Sequence, residues 1–242
     1  TNPSAKFDAA SSGGIINVVL KKNKRIGLNG VASISAGTPK LFSSNANLNF
    51  RQGKFNFFIS AGHNQSGGIA KGNTLRQNKQ GGVITDYFNQ YSVNERSRNH
   101  NSIRFGTDIF ISNRNTVTIT QSFNKGKFGN EEKQDQEYLN SSQVLERYGT
   151  RTSEDESEFN RGSTALNYKF NFPKEGKELT ADLSYNYGSR NSKSDIINNF
   201  YNPDGTDYQP QAIVWNYGSS NEKQMTAQLD YVNPVTEFTK VE

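Results

Sequence analysis

The sequence predicts an all-β chain folded as an antiparallel up-and-down meander of about eight strands. Three observations predict it. Apolar residues recur two apart along most of the chain, the period of a strand with one apolar and one polar face. Short connections rich in Gly, Pro and Asn alternate with long polar ones. No window of comparable length carries a helical stripe; residues 131–148 have weak helical spacing and are assigned to a loop.

The first strand, 26–36, follows a basic run, Lys21 to Arg25. The second, 44–51, places Ala46, Leu48 and Phe50 on one face, and a tight turn at 51–54 leads into the third, 54–65, with Phe55, Phe57, Ile59 and Ala61. The fourth, 101–112, ends on Phe110 before the turn 112–115. Val117, Ile119 and Phe123 share a face with Gln121 in the fifth, 115–125. The sixth, 161–172, sets Thr164, Leu166, Tyr168, Phe170 and Phe172 against Ala165, Asn167, Lys169 and Asn171. Beyond a turn at 172–177, the seventh, 177–190, sets Leu179, Ala181, Leu183, Tyr185 and Tyr187 against Thr180, Asp182, Ser184, Asn186 and Gly188. In the eighth, 222–232, Met225, Ala227, Leu229 and Tyr231 alternate with Gln224, Thr226, Gln228 and Asp230. The long polar connections cover 66–99, 125–160 and 191–221, with strand extensions expected over 84–93 and 148–159.

Alternation alone does not say whether the apolar faces meet a dry core or lipid. Aromatics sit beside the tight turns and recur towards the other strand ends, with small and aliphatic residues between, as in the girdles of a transmembrane barrel. The opposite face, with Asn167, Lys169, Asp182, Asn186, Gln228 and Asp230, suits a wet interior. Only 32% of residues are hydrophobic and the mean hydropathy is −0.83, too little apolar matter for a conventional core. The lipid-facing set is therefore Leu48, Phe57, Ile59, Ile119, Leu166, Phe170, Leu183 and Leu229. No apolar run reaches the ~20 residues of a membrane-spanning helix.

The opening does not fit the meander. It reads Asn2-Pro3-Ser4-Ala5-Lys6-Phe7-Asp8, then Gly13-Gly14-Ile15-Ile16-Asn17-Val18-Val19-Leu20-Lys21-Lys22. This resembles the end of the plug domain of TonB-dependent outer-membrane receptors, specifically their Bacteroidetes branch. The hairpin Gln52-Gly53-Lys54-Phe55-Asn56-Phe57-Phe58 and the strand Glu178 to Tyr185 are similar to that branch too. The resemblance implies that residues 1–24 are the C-terminal end of a plug and its linker. Residues 25–242 would then be the N-terminal part of a transmembrane β-barrel with open edges and long extracellular loops. It places Gly13, Gly14, Ile15, Ile16 and Asn17 at the plug-to-barrel junction and the tight turns on the periplasmic side. It also implies outer-membrane lipid, the TonB complex (through a region upstream) and an unidentified nutrient such as a glycan, peptide or metal chelate as partners. A surface lipoprotein is a further candidate. A complete eight-stranded barrel acting as anchor or adhesin, and a soluble carbohydrate-binding β-protein, are the alternatives.

The remaining features carry little chemistry. Without Cys there is no disulfide, thiolate site or Cys nucleophile. The net charge of +5 reflects basic residues mixed with acids, so no nucleic-acid partner is expected. The acids Glu154, Asp155, Glu156 and Glu158 read as a solvated strand, and the stretch from Asn202 to Asp207 as a loop tip lacking the closing Glu of a calcium loop. His63 and His100 lie apart. No catalytic constellation, cofactor motif or metal-ligand spacing is present, so the chain is expected not to be an enzyme. Tyr87, Phe88, Tyr91, Tyr138, Phe200, Tyr201, Tyr208, Trp215 and Tyr217, in the long connections, suit either ligand contact or packing between strand extensions, with Tyr87, Tyr91, Tyr201 and Trp215 put first for ligand contact.

Overall fold

A computed structural model describes residues 26–234 and 240–241. The junction residues Gly13 to Asn17 and the basic run ending at Arg25 lie outside the described residues. Those described form one antiparallel sheet and no helix. Its strands are β1 (Gly27–Gly37), β2 (Leu41–Gln52), β3 (Phe55–Gln80), β4 (Val83–Phe110), β5 (Asn115–Asn140), β6 (Leu145–Asn171), β7 (Glu178–Tyr201), β8 (Asp207–Pro234) and the two-residue β9 (Lys240–Val241). Each pairs with the next in sequence, and β1 and β8 are not paired to one another.

The eight-strand meander is as expected; its height is not. From β3 onward the strands run 24 to 28 residues. The stretches assigned to long loops are strands nearly to their tips, including 131–140 and 145–148, where weak helical spacing occurs. Periodicity hides such strands because both faces are polar and there is no contrast to read. Their turns are short. Gly81 and Gly82, both at positive φ (58° and 84°), close the β3–β4 hairpin in two residues, a geometry only glycine adopts freely. Asn140 closes the next tip by accepting the backbone N–H groups of Ser142 (2.9 Å) and Val144 (3.0 Å) on Oδ1.

Residues opposed across an antiparallel ladder point to the same side. One outward row runs Leu28, Phe50, Phe57, Thr107, Ile119, Leu166, Leu183 and Ala227. The next outward rows are similarly apolar, down to Phe170, Leu179 and Tyr231 at the short-turn end and up to Ile103, Phe123, Gly162 and Tyr187. One row further the face turns polar: Ser44, His63, Asn101, Lys125, Asn160, Ser189 and Asn221. From Phe170 to Gly162 the strand advances ~26 Å, or ~20 Å at a tilt of ~40°, close to the ~25 Å lipid-facing band of a membrane barrel.

No dry core lies behind this belt. The buried side chains among the described residues are Val232, Thr120 and Ser153. Leu48, Phe57, Ile59, Ile119, Leu166, Leu183 and Leu229 are all exposed, and Phe170 is half-buried against Phe172, ring centroids 4.5 Å apart. Aromatic contacts bracket the belt: Phe170, Phe172 and Tyr231 below, Tyr185 with Tyr187 (5.8 Å) and Phe105 with Phe123 (6.4 Å) above.

Candidate functional site on the concave face

The inward residues are the other half of each alternation. At the short-turn end Asn29, Asn49, Asn56, Asp108, Thr118, Asn167, Asp182 and Gln228, one from each of β1 to β8, surround a cavity of about 1080 Å³. The sheet therefore curls until β1 and β8 line the same space. Polar groups on this wall bond along the rows: Asp108 accepts from Asn56 Nδ2 (2.9 Å) and Thr118 Oγ1 (2.7 Å), and Asp182 accepts from Asn167 Nδ2. A second space of about 1060 Å³ lies above it, lined by inward residues such as Ser33, Asn45, Ser102, Asn124, Arg161 and Glu222 and also by Ile103, Phe123 and Tyr187 of the belt. A third, of about 480 Å³, lies higher still and includes Arg96, Arg98, Phe128, Asp155 and Arg190. By register the concave face is polar beside all three.

Arginine and lysine are sorted between the two faces. Arg51, Arg76, Arg96, Arg98, Arg104, Arg147, Arg151, Arg161 and Arg190 all fall on the concave side by register. Lys71, Lys125, Lys127, Lys133, Lys193 and Lys223 fall on the convex side, with Lys169 the inward exception. Arg51, Arg76, Arg98, Arg104, Arg147 and Arg161 each lie over an aromatic ring. Arg104 lies 5.8 Å from the Phe58 centroid, Arg98 5.9 Å from Phe128 and Arg161 5.5 Å from Phe159. Phe128 and Phe159 stack at 5.8 Å, with His100 at 6.1 Å from the latter. Near the tips Arg76 covers Phe88 (5.0 Å), and Arg147 covers Tyr138 (4.3 Å) while donating to the Tyr208 hydroxyl (3.1 Å). Several rings lie over a glycine across the ladder: Phe159 over Gly126, Phe200 over Gly149, Phe58 over Gly106.

Asp155 is the half-buried carboxylate of the upper concave face. Burial raises its pKa, but hydrogen bonds from Ser194, Asn130 and Ser153 and the charge of Arg151 outweigh that and hold it below the ordinary value of 3.8. A depressed carboxylate stabilises the fold above its unfolded pKa and loses that contribution as pH falls through the folded value. Amide protection factors in the upper parts of β5, β6 and β7, with exchange corrected for its intrinsic pH dependence, should accordingly fall as pH drops through the ordinary carboxylate range and below it. Asp155→Asn should flatten that response.

Three of the convex lysines are ion-paired, as is Lys40 in the β1–β2 turn. Lys127 contacts Glu156 (2.7 Å) and Glu158 (3.6 Å), Lys133 contacts Glu131 (2.9 Å), and Lys40 and Lys193 meet Glu95 and Asp195. Both partners of each pair are well exposed or nearly so, and such pairs contribute little against solvent and salt. Lys127→Met should leave the thermal unfolding midpoint of the folded protein within error; a drop of several degrees would contradict this.

Of the aromatics singled out from sequence, Tyr87, Tyr91, Tyr201 and Trp215 lie on the convex side and Phe88, Tyr138 and Phe200 on the concave side. Tyr87 opposes Leu139, Tyr91 opposes Asp135, Trp215 opposes Asp195, and Tyr201 stacks on Tyr148 at 5.2 Å. No ladder brings two of these four together. The acidic run divides, with Glu154, Glu156 and Glu158 outward and Asp155 inward. Asp204 is engaged by its own turn, accepting from Thr206 N (3.0 Å) and Oγ1 (2.6 Å). The concave-face arginines were missed by sequence reading. Parity counted upward from Asp108 through Arg104, Arg98 and Arg96 carries the signal, provided the strand is known to continue.

Residues 170–242 match the family model described as outer membrane protein beta-barrel family. No curated protein and no solved structure gives a significant match. The matched stretch is similar to that family through β7 and β8, where the alternation between lipid-compatible and wet faces is cleanest. The sheet is the wall of an outer-membrane β-barrel. Its location is the bacterial outer membrane.

Proposed function

We propose that this wall belongs to a TonB-coupled receptor that takes up a bulky nutrient, a glycan, peptide or metal chelate. The chain acts by lining a gated path, with no covalent chemistry of its own. The observation that carries this reading is the wall's construction: a bilayer-high apolar belt outside, a polar concave face inside, and strands that rise far above the belt. A tall wet wall on one side only suits capture of a large solute before passage, and a sheet that does not close β1 onto β8 among the described residues suits continuation of the barrel by further strands. The tight turns would face the periplasm, where a plug and TonB act, and a surface lipoprotein is a further partner of this reading.

One observation favours the rival, a complete small barrel serving as anchor or adhesin: all of β1 to β8 already curl around one cavity. The two readings separate in cells. For the receptor, the native protein detected in outer-membrane fractions runs several-fold above 27.0 kDa, and uptake of its nutrient stops on loss of TonB or of the proton gradient. A native species near 27.0 kDa that folds alone in detergent would establish the rival.

A further inference from the structure

We infer that the tall half of the concave face recognises an acidic glycan. The inference rests on the reading that this face lines the ligand's path, and it names the class of ligand. Seven arginines face inward above the apolar belt: Arg76, Arg96, Arg98, Arg147, Arg151, Arg161 and Arg190. Among the described residues none of them is ion-paired to a carboxylate, whereas Lys127, Lys133 and Lys193 on the convex side are. The four inward acids of that half, Asp86, Glu132, Asp155 and Glu222, leave it net positive.

Aromatic rings lie 4.3 to 5.9 Å from the guanidinium groups of Arg76, Arg98, Arg147 and Arg161 and restrict where each group can sit. Guanidinium, unlike ammonium, takes carboxylate or sulfate in a two-point grip.

The neighbours argue for a glycan over an acidic peptide. Between the arginines the wall carries hydroxyls and amides, Asn130, Ser157, Ser192, Ser194 and Asn216, which match a polyol. Aliphatic side chains that would seat peptide side chains are scarce there.

The test uses the full-length protein in detergent micelles, titrated with dextran sulfate, neutral dextran and poly-glutamate. Dextran sulfate should bind, the other two at least about tenfold more weakly. Replacing Arg96, Arg98 and Arg190 together by Gln should weaken that binding about tenfold or more, as expected when several charge-assisted contacts are lost. Removing the same charge from the convex side, Lys125, Lys127 and Lys193 to Gln, should change it less than about twofold. Heat-modifiable migration checks that each variant is folded, and Arg98→Gln alone serves if the triple variant is not. Absent binding, equal binding of neutral dextran or poly-glutamate, or equal losses in the two triple variants overturns the inference. Binding in detergent needs neither TonB nor a gradient, so its failure leaves the transport reading to its own test.

Discussion

Leu183→Arg should destabilise the folded protein in a lipid bilayer by about 2–4 kcal/mol, the depth-dependent cost of a cation at mid-membrane on a barrel's outer face. Ser184→Arg, one residue along β7, should change stability by less than about 1 kcal/mol, because lumenal positions meet water. Leu183 lies in the central outward row, opposed to Leu166 on one side and Ala227 on the other. Ser184 opposes Ala165 and Thr226 on the concave side. Denaturant titration of the full-length protein in vesicles of defined lipid measures both. Two neighbours of one strand differ here only in which solvent they face. Equal costs, or a larger cost for Ser184→Arg, would remove the assignment of the apolar belt to lipid.

The same contrast of solvents explains how far the fold could be read from sequence. Between 161–172 and 177–190 one face is apolar and the other polar, so period-2 alternation gives strand, face and boundary together. Above the belt both sides are wet. Glu131, Lys133, Asp135 and Glu137 on one face of β5 are as polar as Glu132, Gln134 and Gln136 on the other, and no period survives. What holds those residues extended is the ladder with β4 and β6, a non-local property that a single stretch does not display. Ligand-facing residues suffered likewise. Tyr87, Tyr91, Tyr201 and Trp215 stand out by type as much as Phe88, Tyr138 and Phe200 do, yet the face on which a residue falls depends on register, and register puts the first four outward and the last three inward. The arginines are evenly spread in sequence and form a group only once their strands are laid side by side.

The other large effect concerns the glycines beneath the inward aromatics. Gly106→Ala should cost about 1–3 kcal/mol, the range for overfilling a packed site. A Cβ there would sit 2.3 Å from the carbonyl oxygen of Ile119 and 2.5 Å from the ring of Phe58. The ring can turn, but the carbonyl belongs to the β4–β5 ladder and moves only with the backbone. Gly162→Ala is the matched control. Its new methyl would meet only the far end of Tyr187, which is 39% exposed on the outer face and free to swing aside, so the cost should stay below about 1 kcal/mol. A double-mutant cycle with Phe58→Ala separates the two contacts at Gly106. Removing the ring should relieve part of the penalty and leave the share due to the Ile119 carbonyl. Full rescue by Phe58→Ala would mean that the ring alone demands glycine at this position and that the ladder can yield.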